Sequence, residues 1–244
     1  MVVSLTALCR LHYIGPRMSA RGELQSAAGG EPDVPKAAVG RLGLYLRQLE
    51  RFLQDGCTTV SSRRLGQSLG ISDAQVRKDL GYFGHFGRAG VGYDVQALVA
   101  TVRGILGTDH EWPVALVGIG NLGRALVGYR GFRRQGFHIV AIFDVDQAKI
   151  GQTIEGIRVE HLDSLHCEVA DRTITMGIVA VPAEAAQGVA DELVRAGVKG
   201  ILNFAPVSLS VPAGVKLISV DLAIQLESLA YQVRSADTTR WCNW

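Results

Sequence analysis

The sequence predicts an α/β chain in two parts, a small helical unit closed by a hairpin and then a parallel sheet with crossover helices. Three observations predict it. Three short helical patterns precede the glycine-rich stretch GHFGRAGVGYDV. From Val114 onward, apolar strands alternate with amphipathic helices. The first of those strands runs straight into GIGNLG, Gly118 to Gly123.

The helical unit begins at Pro35, a good first-turn residue. In KAAVGRLGLYLRQLERFLQDG, Val39, Leu42, Leu46, Leu49 and Phe52/Leu53 recur at helical spacing, and Gly56 stops the run. SSRRLGQSLG follows. Ser61 or Ser62 can cap it, Leu65 and Leu69 face inward, and Gly70 ends it. ISDAQVRKDLGYFG opens with Ser72 as N-cap and Gln75 three residues later, a capping box, and Val76, Leu80 and Phe83 form its buried stripe. Phe86, Val91, Tyr93 and Val95 then alternate through closely spaced glycines, the pattern of a β-hairpin with a glycine-rich tip. Helix, helix-turn-helix, hairpin is the winged-helix order. The third helix sets Gln75, Arg77 and Lys78 outside its buried stripe, toward a major groove and its phosphates. Ser62 and, in the wing, Arg88 and Gly90 complete the candidate DNA contacts. A small helical bundle with a solvated charged face is the plainer alternative.

The second part reads VALVGIG as strand and LGRALVGYRGFRRQG as one helix ending near Gly136. FHIVAIFDVD and ITMGIVAVP are strands, AEAAQGVADELVRAG a helix, and GILNFAP and VKLISVDL short strands. This is a doubly wound, Rossmann-type sheet. DLAIQLESLAYQV, 221–233, is a last amphipathic helix with no crossover to serve, so its apolar stripe is expected on a second subunit.

Gly118-Ile119-Gly120-Asn121-Leu122-Gly123 fits G-x-G-x-x-G in the context the motif requires, after a strand and opening a helix. Gly118 permits the tight turn. Gly120 lets a pyrophosphate approach the backbone, where amides and the helix dipole bind it, and Gly123 lets helix and strand pack closely. Asp144 ends the next strand, 21 residues after Gly123. A carboxylate there bonds the adenosine ribose hydroxyls and repels a 2′-phosphate, which favours NAD(H) over its phosphorylated form.

Composition bounds the function. Of 244 residues, 48% are hydrophobic and 20% charged, ordinary for a soluble globular protein large enough for two modest domains. The net charge of +2 hides an asymmetry. Residues 36–93 hold nine Lys/Arg against four Asp/Glu, and residues 94–244 hold thirteen against sixteen. A basic front suits a large polyanion. Cys9, Cys57, Cys167 and Cys242 form no C-x-x-C pair and no ligand set with histidine, so no metal is expected. No apolar run reaches the ~20 residues of a membrane span, and the charges of the N-terminus make it a poor signal peptide. A cytoplasmic protein with no membrane partner is expected. Catalysis is not expected either. No Y-x-x-x-K pair is present, since Tyr129 is followed by Arg133, and His138, His161 and His166 stand in no recognisable catalytic setting. A basic DNA-reading front on a nucleotide-binding rear reads as a sensor. A small NAD-dependent oxidoreductase with an accessory N-terminal domain, and a CoA-binding domain of the same strand order, are the alternatives.

Over about residues 34–234 the sequence resembles the Rex family of redox-sensing transcriptional repressors. The resemblance rests on QVRKDLGYFGHFGRAGVGYDV, GIGNLGRAL, FDVDQAKIG, VPAEAAQGVADELVRAGVKGILNFAP and VDL near the end. It implies a homodimer with a C-terminal helix exchanged between subunits. It further implies operator binding when NAD⁺ dominates, release when NADH rises, and target genes of respiration and fermentation. By the same resemblance, Arg77 and Lys78 match the recognition-helix cations. Asn121 lies in the phosphate turn, Asp144 at the ribose and Tyr129 on the nicotinamide side. Asp221 heads the exchanged helix, and Arg47 of the first helix joins its network. Two departures stand out. The basic residue often found just before GVGY is Ala89 here, with Arg88 one step earlier, which puts minor-groove contact by the wing in doubt or shifts it to Arg88. Leu222 follows Asp221 where some members have an aromatic, so the nicotinamide pocket is expected to pack differently. The expected organisation is a flexible extension over 1–35, a winged-helix DNA-binding domain over 36–110, a Rossmann NAD(H)-binding domain over 111–220 and a dimerisation helix and tail over 221–244.

Overall fold

A computed structural model describes residues 34–88 and 90–238, without the side chains of 236–238. Residues 1–33 of the expected 1–35 extension, 239–244 of the expected tail, Ala89 of the wing, Cys9 and Cys242 therefore lie outside the described residues. The first part runs α1 (Lys36–Gln54), β1 (Thr59–Val60), α2 (Ser62–Leu69), α3 (Asp73–Gly81), β2 (Gly87–Arg88), β3 (Gly92–Asp94) and α4 (Val95–Leu106). Local chemistry sets the boundaries. Ser61, not Ser62, caps α2 by accepting the Arg64 N–H, and Gly70 ends it in the left-handed region. Ser72 caps α3 by accepting the Gln75 N–H at 3.2 Å. The Gln75 amide does not reach back to complete the box; it is turned to Asp79. β1, β3 and β2 form a three-stranded antiparallel sheet in that order, the wing. Val95 does not extend the hairpin: Asp94 accepts the Ala97 N–H and starts α4 there.

Leu42, Leu46, Leu49, Phe52, Leu65, Val76, Leu80, Val99 and Val102 make one core. Two members of the expected α1 stripe are not in it: Val39 and Leu53 are each 41% exposed, and Ala38 and Tyr45 are buried instead. The helix turns slightly away from the arc that the apolar pattern suggests, because Tyr45 is drawn in to a buried carboxylate described below.

The second part runs β4 (Trp112–Val117), α5 (Asn121–Val127), α6 (Arg130–Arg134), β5 (Phe137–Asp144), β6 (Thr153–Ile154), β7 (Ile157–His161), α7 (Leu165–Asp171), β8 (Met176–Val179), α8 (Ala183–Arg195), β9 (Gly200–Asn203), β10 (Lys216–Ser219) and α9 (Leu222–Thr238). The sheet order is β10-β9-β8-β4-β5-β7-β6, all parallel except the β6–β7 hairpin. The period-2 alternation of β4 divides its side chains between two cores. Val114 and Leu116 face Val127 and Phe132 on one side, while Ala115 and Val117 face Leu165, Val169, Ala186 and Leu193 on the other. Strand order reverses between β4 and β8, and the crevice at their carboxyl ends is where such sheets bind ligands. One expected helix is two: α5 and α6 are separate, with Tyr129 at the break. α9 starts at the expected position, and its apolar residues remain exposed, from Ile224 at 53% to Tyr231 at 75%.

Candidate functional site

The glycine turn sits at that reversal. Gly118 has φ +96°, and its N–H donates to Phe143 O at 2.8 Å. A side chain at Gly118 would run into the Ala180 carbonyl just past β8, and one at Gly123 into the Gly118 carbonyl. Gly120 has open space around its Cα. The first and third glycines are therefore demanded by packing, and the second leaves room for a phosphate beside the backbone, as a dinucleotide needs. Ile119 is buried, while Asn121 and Leu122 are exposed beside it.

Asp144 lies at the end of β5, only 7% exposed. Its Oδ2 accepts the Ile119 N–H at 2.8 Å, and its Oδ1 accepts the Val145 and Asp146 N–H groups at 2.9 Å each. The expected ribose-side carboxylate is thus bonded directly into the expected phosphate turn. Lys149, which the sequence reading missed, pairs with Asp144 Oδ2 at 3.3 Å and Asp146 Oδ2 at 3.4 Å. Burial pushes the Asp144 carboxyl up, and bonds from Ile119, Asp146 and Lys149 outweigh it and hold it below the ordinary range. Lys149 mirrors this: desolvation lowers it, and the two carboxylates raise it further.

On the first part, Arg77 and Lys78 are exposed on α3. Arg77 Nη1 donates to Ser62 Oγ at 3.0 Å and to Asp73 Oδ2 at 2.7 Å, so its guanidinium is held in place from two helices. Ser62, Arg77, Arg88 and Gly90 line one cleft of about 560 Å³ between α3 and the wing, joined by His85, which the sequence reading did not single out. Lys78 lies outside that cleft. Gln75 is half-buried rather than directed outward, its Nε2 donating to Asp79 at 2.7 Å. Asp79 itself was missed. It sits three residues after Val76, on the buried arc, a signal available in the sequence.

A larger groove of about 1370 Å³ opens between the two parts. Arg47, Arg51 and Arg103 line it from α1 and α4, Tyr129 from the α5–α6 break, Phe132 from α6, and Ile178 and Ile218 from the sheet. Tyr129 is 55% exposed and stacks edge-on against Phe132, centroids 5.1 Å apart. Gly131 makes this possible, since a side chain there would strike the Tyr129 ring. Arg47 and Tyr129 therefore share a groove within one chain, and Asp221 does not line it. Asp221 instead caps α9, its Oδ1 accepting the Ala223 N–H at 2.9 Å and the Ile224 N–H at 3.3 Å. Buried Asn203 sets up this end. Its Nδ2 reaches Ala205 O, Val207 O and Ser219 Oγ, and its backbone carbonyl accepts the Val220 N–H at 2.8 Å. Among the described residues no group of three His, Cys, Asp or Glu side chains is placed to hold a metal, and no helix is long and apolar enough to cross a membrane.

Fold and site together define a transcription regulator, a winged helix followed by a Rossmann-type sheet. Residues 33–81 match the family described as "Putative DNA-binding protein N-terminus", and residues 109–207 match "CoA binding domain". The redox-sensing transcriptional repressor Rex of Carboxydothermus hydrogenoformans is 50% identical over 201 residues, 82% of this chain and 97% of that one. Rex of Streptomyces coelicolor is 45% identical over 212 residues, 87% of this chain and 82% of that one. Among solved structures, RSP in complex with β-NAD⁺ and operator DNA superposes with a TM-score of 0.80 at 36% identity, covering 85% of this chain and 95% of that one. RSP with β-NADH gives 0.77 at 35% identity, covering 85% and 98%. The chain belongs to the Rex family of redox-sensing transcriptional repressors.

Proposed function

We propose that this chain represses transcription by binding operator DNA and leaves it as NADH replaces NAD⁺. Residues 36–110 form the DNA-binding unit, 111–220 the NAD(H)-binding unit and 221–244 the segment that joins two copies. One observation carries the reading: Arg47, from the helix that packs on the DNA-reading helix, and Tyr129, from the break after the glycine turn, face the same groove. A relative solved with β-NAD⁺ and operator DNA, and again with β-NADH, supports both ligands here.

Arg77, Lys78 and Arg88 hold phosphates and base edges, with Ser62 positioning Arg77 and Gly90 shaping the wing. Gln75 stands at the rim of this face. Gly118, Ile119, Gly120, Asn121, Leu122 and Gly123 hold the pyrophosphate, and Asp144 the adenosine ribose. NAD⁺ supplies a positively charged nicotinamide when bound, and NADH a neutral one. Asp221 of a second copy, entering the groove with its exposed helix, exchanges partners between Arg47 and the Tyr129 hydroxyl as that charge changes. A two-state contact between the halves then carries a small local event to the DNA face. The chain acts in the cytoplasm and without turnover, a reading supported by Arg133 standing four residues after Tyr129 where a dehydrogenase pair has lysine.

Titrating NADH into a protein–operator complex tests this. Release by NADH, with NAD⁺ retaining the complex and no turnover of small alcohols or aldehydes, is expected. Operator binding indifferent to NADH, or displacement of the dinucleotide by CoA, would overturn it.

A further inference from the structure

Asp144 has no acceptor position left. A carboxylate offers about four lone pairs. Asp144 gives two to the Val145 and Asp146 N–H groups, one to the Ile119 N–H and one to the Lys149 ammonium. The three backbone donors are fixed by the chain. The ammonium, on a flexible stem, is the one donor that can leave. A ribose hydroxyl that bonds Asp144 must therefore take the place of Lys149. Lys149 keeps a second carboxylate when it moves, since Asp146 Oδ2 is 3.4 Å away.

A further cation reaches the same turn. Arg124 of α5 donates to Gln152 Oε1 at 3.1 Å, and Gln152 Nε2 donates to Ala148 O at 2.8 Å. Lys149 lies between these anchor points in sequence. Arg124 holds a neutral partner there, so it is free to turn to an anion. Asp144, Asp146, Lys149 and Arg124 are neutral as a set. Without Asp144 they carry one positive charge beside the ribose position.

We propose that Lys149 is a second determinant of which dinucleotide this chain accepts. With Asp144 present it yields a lone pair to a ribose hydroxyl, and with Asp144 removed it receives a ribose 2′-phosphate. The site is a phosphate receptor silenced by one carboxylate. This rests on the reading of residues 118–144 as a dinucleotide site.

Calorimetric titration of NADH and NADPH into the full-length wild type, Asp144→Ser, Lys149→Ala and the double variant tests it. The wild type favours NADH. Asp144→Ser gains at least about tenfold in NADPH affinity, the size of one hydrogen bond to a charged group. Lys149→Ala added to Asp144→Ser removes that gain and moves NADH affinity by less than about threefold. Lys149→Ala alone keeps NADH affinity or tightens it. Equal NADPH affinity in Asp144→Ser and the double variant would overturn the proposal. So would a loss of NADH affinity of about tenfold or more in Lys149→Ala alone. Thermal unfolding checks each fold, and Asp144→Asn, which keeps the side chain's shape, replaces the serine variant if that one unfolds. A wild type that binds neither dinucleotide overturns the reading of the site itself, a result distinct from a variant series that differs only toward NADPH.

Discussion

Asp79, wholly buried on α3, receives two bonds from the guanidinium of Arg41 on α1, Nε to Oδ2 at 2.5 Å and Nη2 to Oδ1 at 2.8 Å. The Tyr45 hydroxyl donates to it at 2.7 Å and Gln75 Nε2 at 2.7 Å. The helix that carries Arg77 and Lys78 is thereby fixed to the helix that carries Arg47. Removing one partner of a buried pair leaves an uncompensated charge. Asp79→Ala is expected to cost about 3–5 kcal/mol of stability in urea unfolding. A loss below about 1 kcal/mol would show that the network contributes little.

Burial pushes the Asp79 carboxyl up, but bonds from Arg41, Tyr45 and Gln75 hold it below its ordinary value. Such a group adds stability above the unfolded value of about 4, which is lost as pH falls through the lowered folded value. Unfolding midpoints of the wild type are expected to fall as pH drops below about 5, and those of Asp79→Asn to fall less steeply. Parallel curves would remove Asp79 from the acid response.

Lys78 and Arg88 are exposed on the proposed DNA face. Lys78→Ala is expected to weaken binding to all sequences and to reduce the salt slope of operator binding by about one unit. Arg88→Ala is expected to do the same, because Arg88 lines the cleft shared with Arg77. An unchanged slope for Arg88→Ala would exclude the wing from phosphate contact.

Asp144→Ala removes an anchor of the glycine turn and of the proposed ribose position. NADH affinity is expected to fall by about 1.5–3 kcal/mol, and the preference over NADPH to narrow. A wild type that already binds the two alike in calorimetry would contradict this.

Tyr129→Phe and Asp221→Ala are each expected to keep operator binding and to blunt release by NADH. Moving a two-state equilibrium from 1:99 to 99:1 takes about 5.5 kcal/mol of differential affinity, so losing one exchanging hydrogen bond is visible. Operator retardation with and without NADH measures it, and wild-type sensitivity in both variants would discard the mechanism.

Leu226 and Leu229 are more than half exposed on α9. Replacing both with Asp is expected to shift the protein from the proposed dimer to monomer in sedimentation, since each buried leucine contributes about 1.5–3 kcal/mol. A dimer that survives would move the interface elsewhere.

Much of this was legible because its chemistry is local. Ser72 and Gly70 announce helix ends by what they bond or which φ they adopt, and the glycines of the turn declare close approach. The doubly wound class of the sheet followed from apolar runs alternating with helical ones, while its strand order did not. What escaped was long-range or masked by pattern. Asp79 meets Arg41 across 38 residues, so a charge on an apolar arc gave a hint without a partner. Lys149 stands among ordinary turn residues, and only the fold shows that it caps Asp144. The segment from Leu122 to Gly136 keeps helical spacing throughout, and its break at Tyr129 depends on how the aromatic ring lies over Gly131.

That break has a dynamic consequence. α5 spans seven residues and α6 five, and α6 has no buried residue. Helices so short hold together through what they pack on, not through their own hydrogen bonds. α5 is pinned by buried Gly123 and Val127, while α6 is held mainly through half-buried Phe132. Backbone amides of 130–135 should therefore exchange with solvent well ahead of those of 121–127. The segment bordering Tyr129 thus opens more readily than the helix of the glycine turn, and ordering it is a way for a ligand at that turn to be felt at the groove without moving the strands.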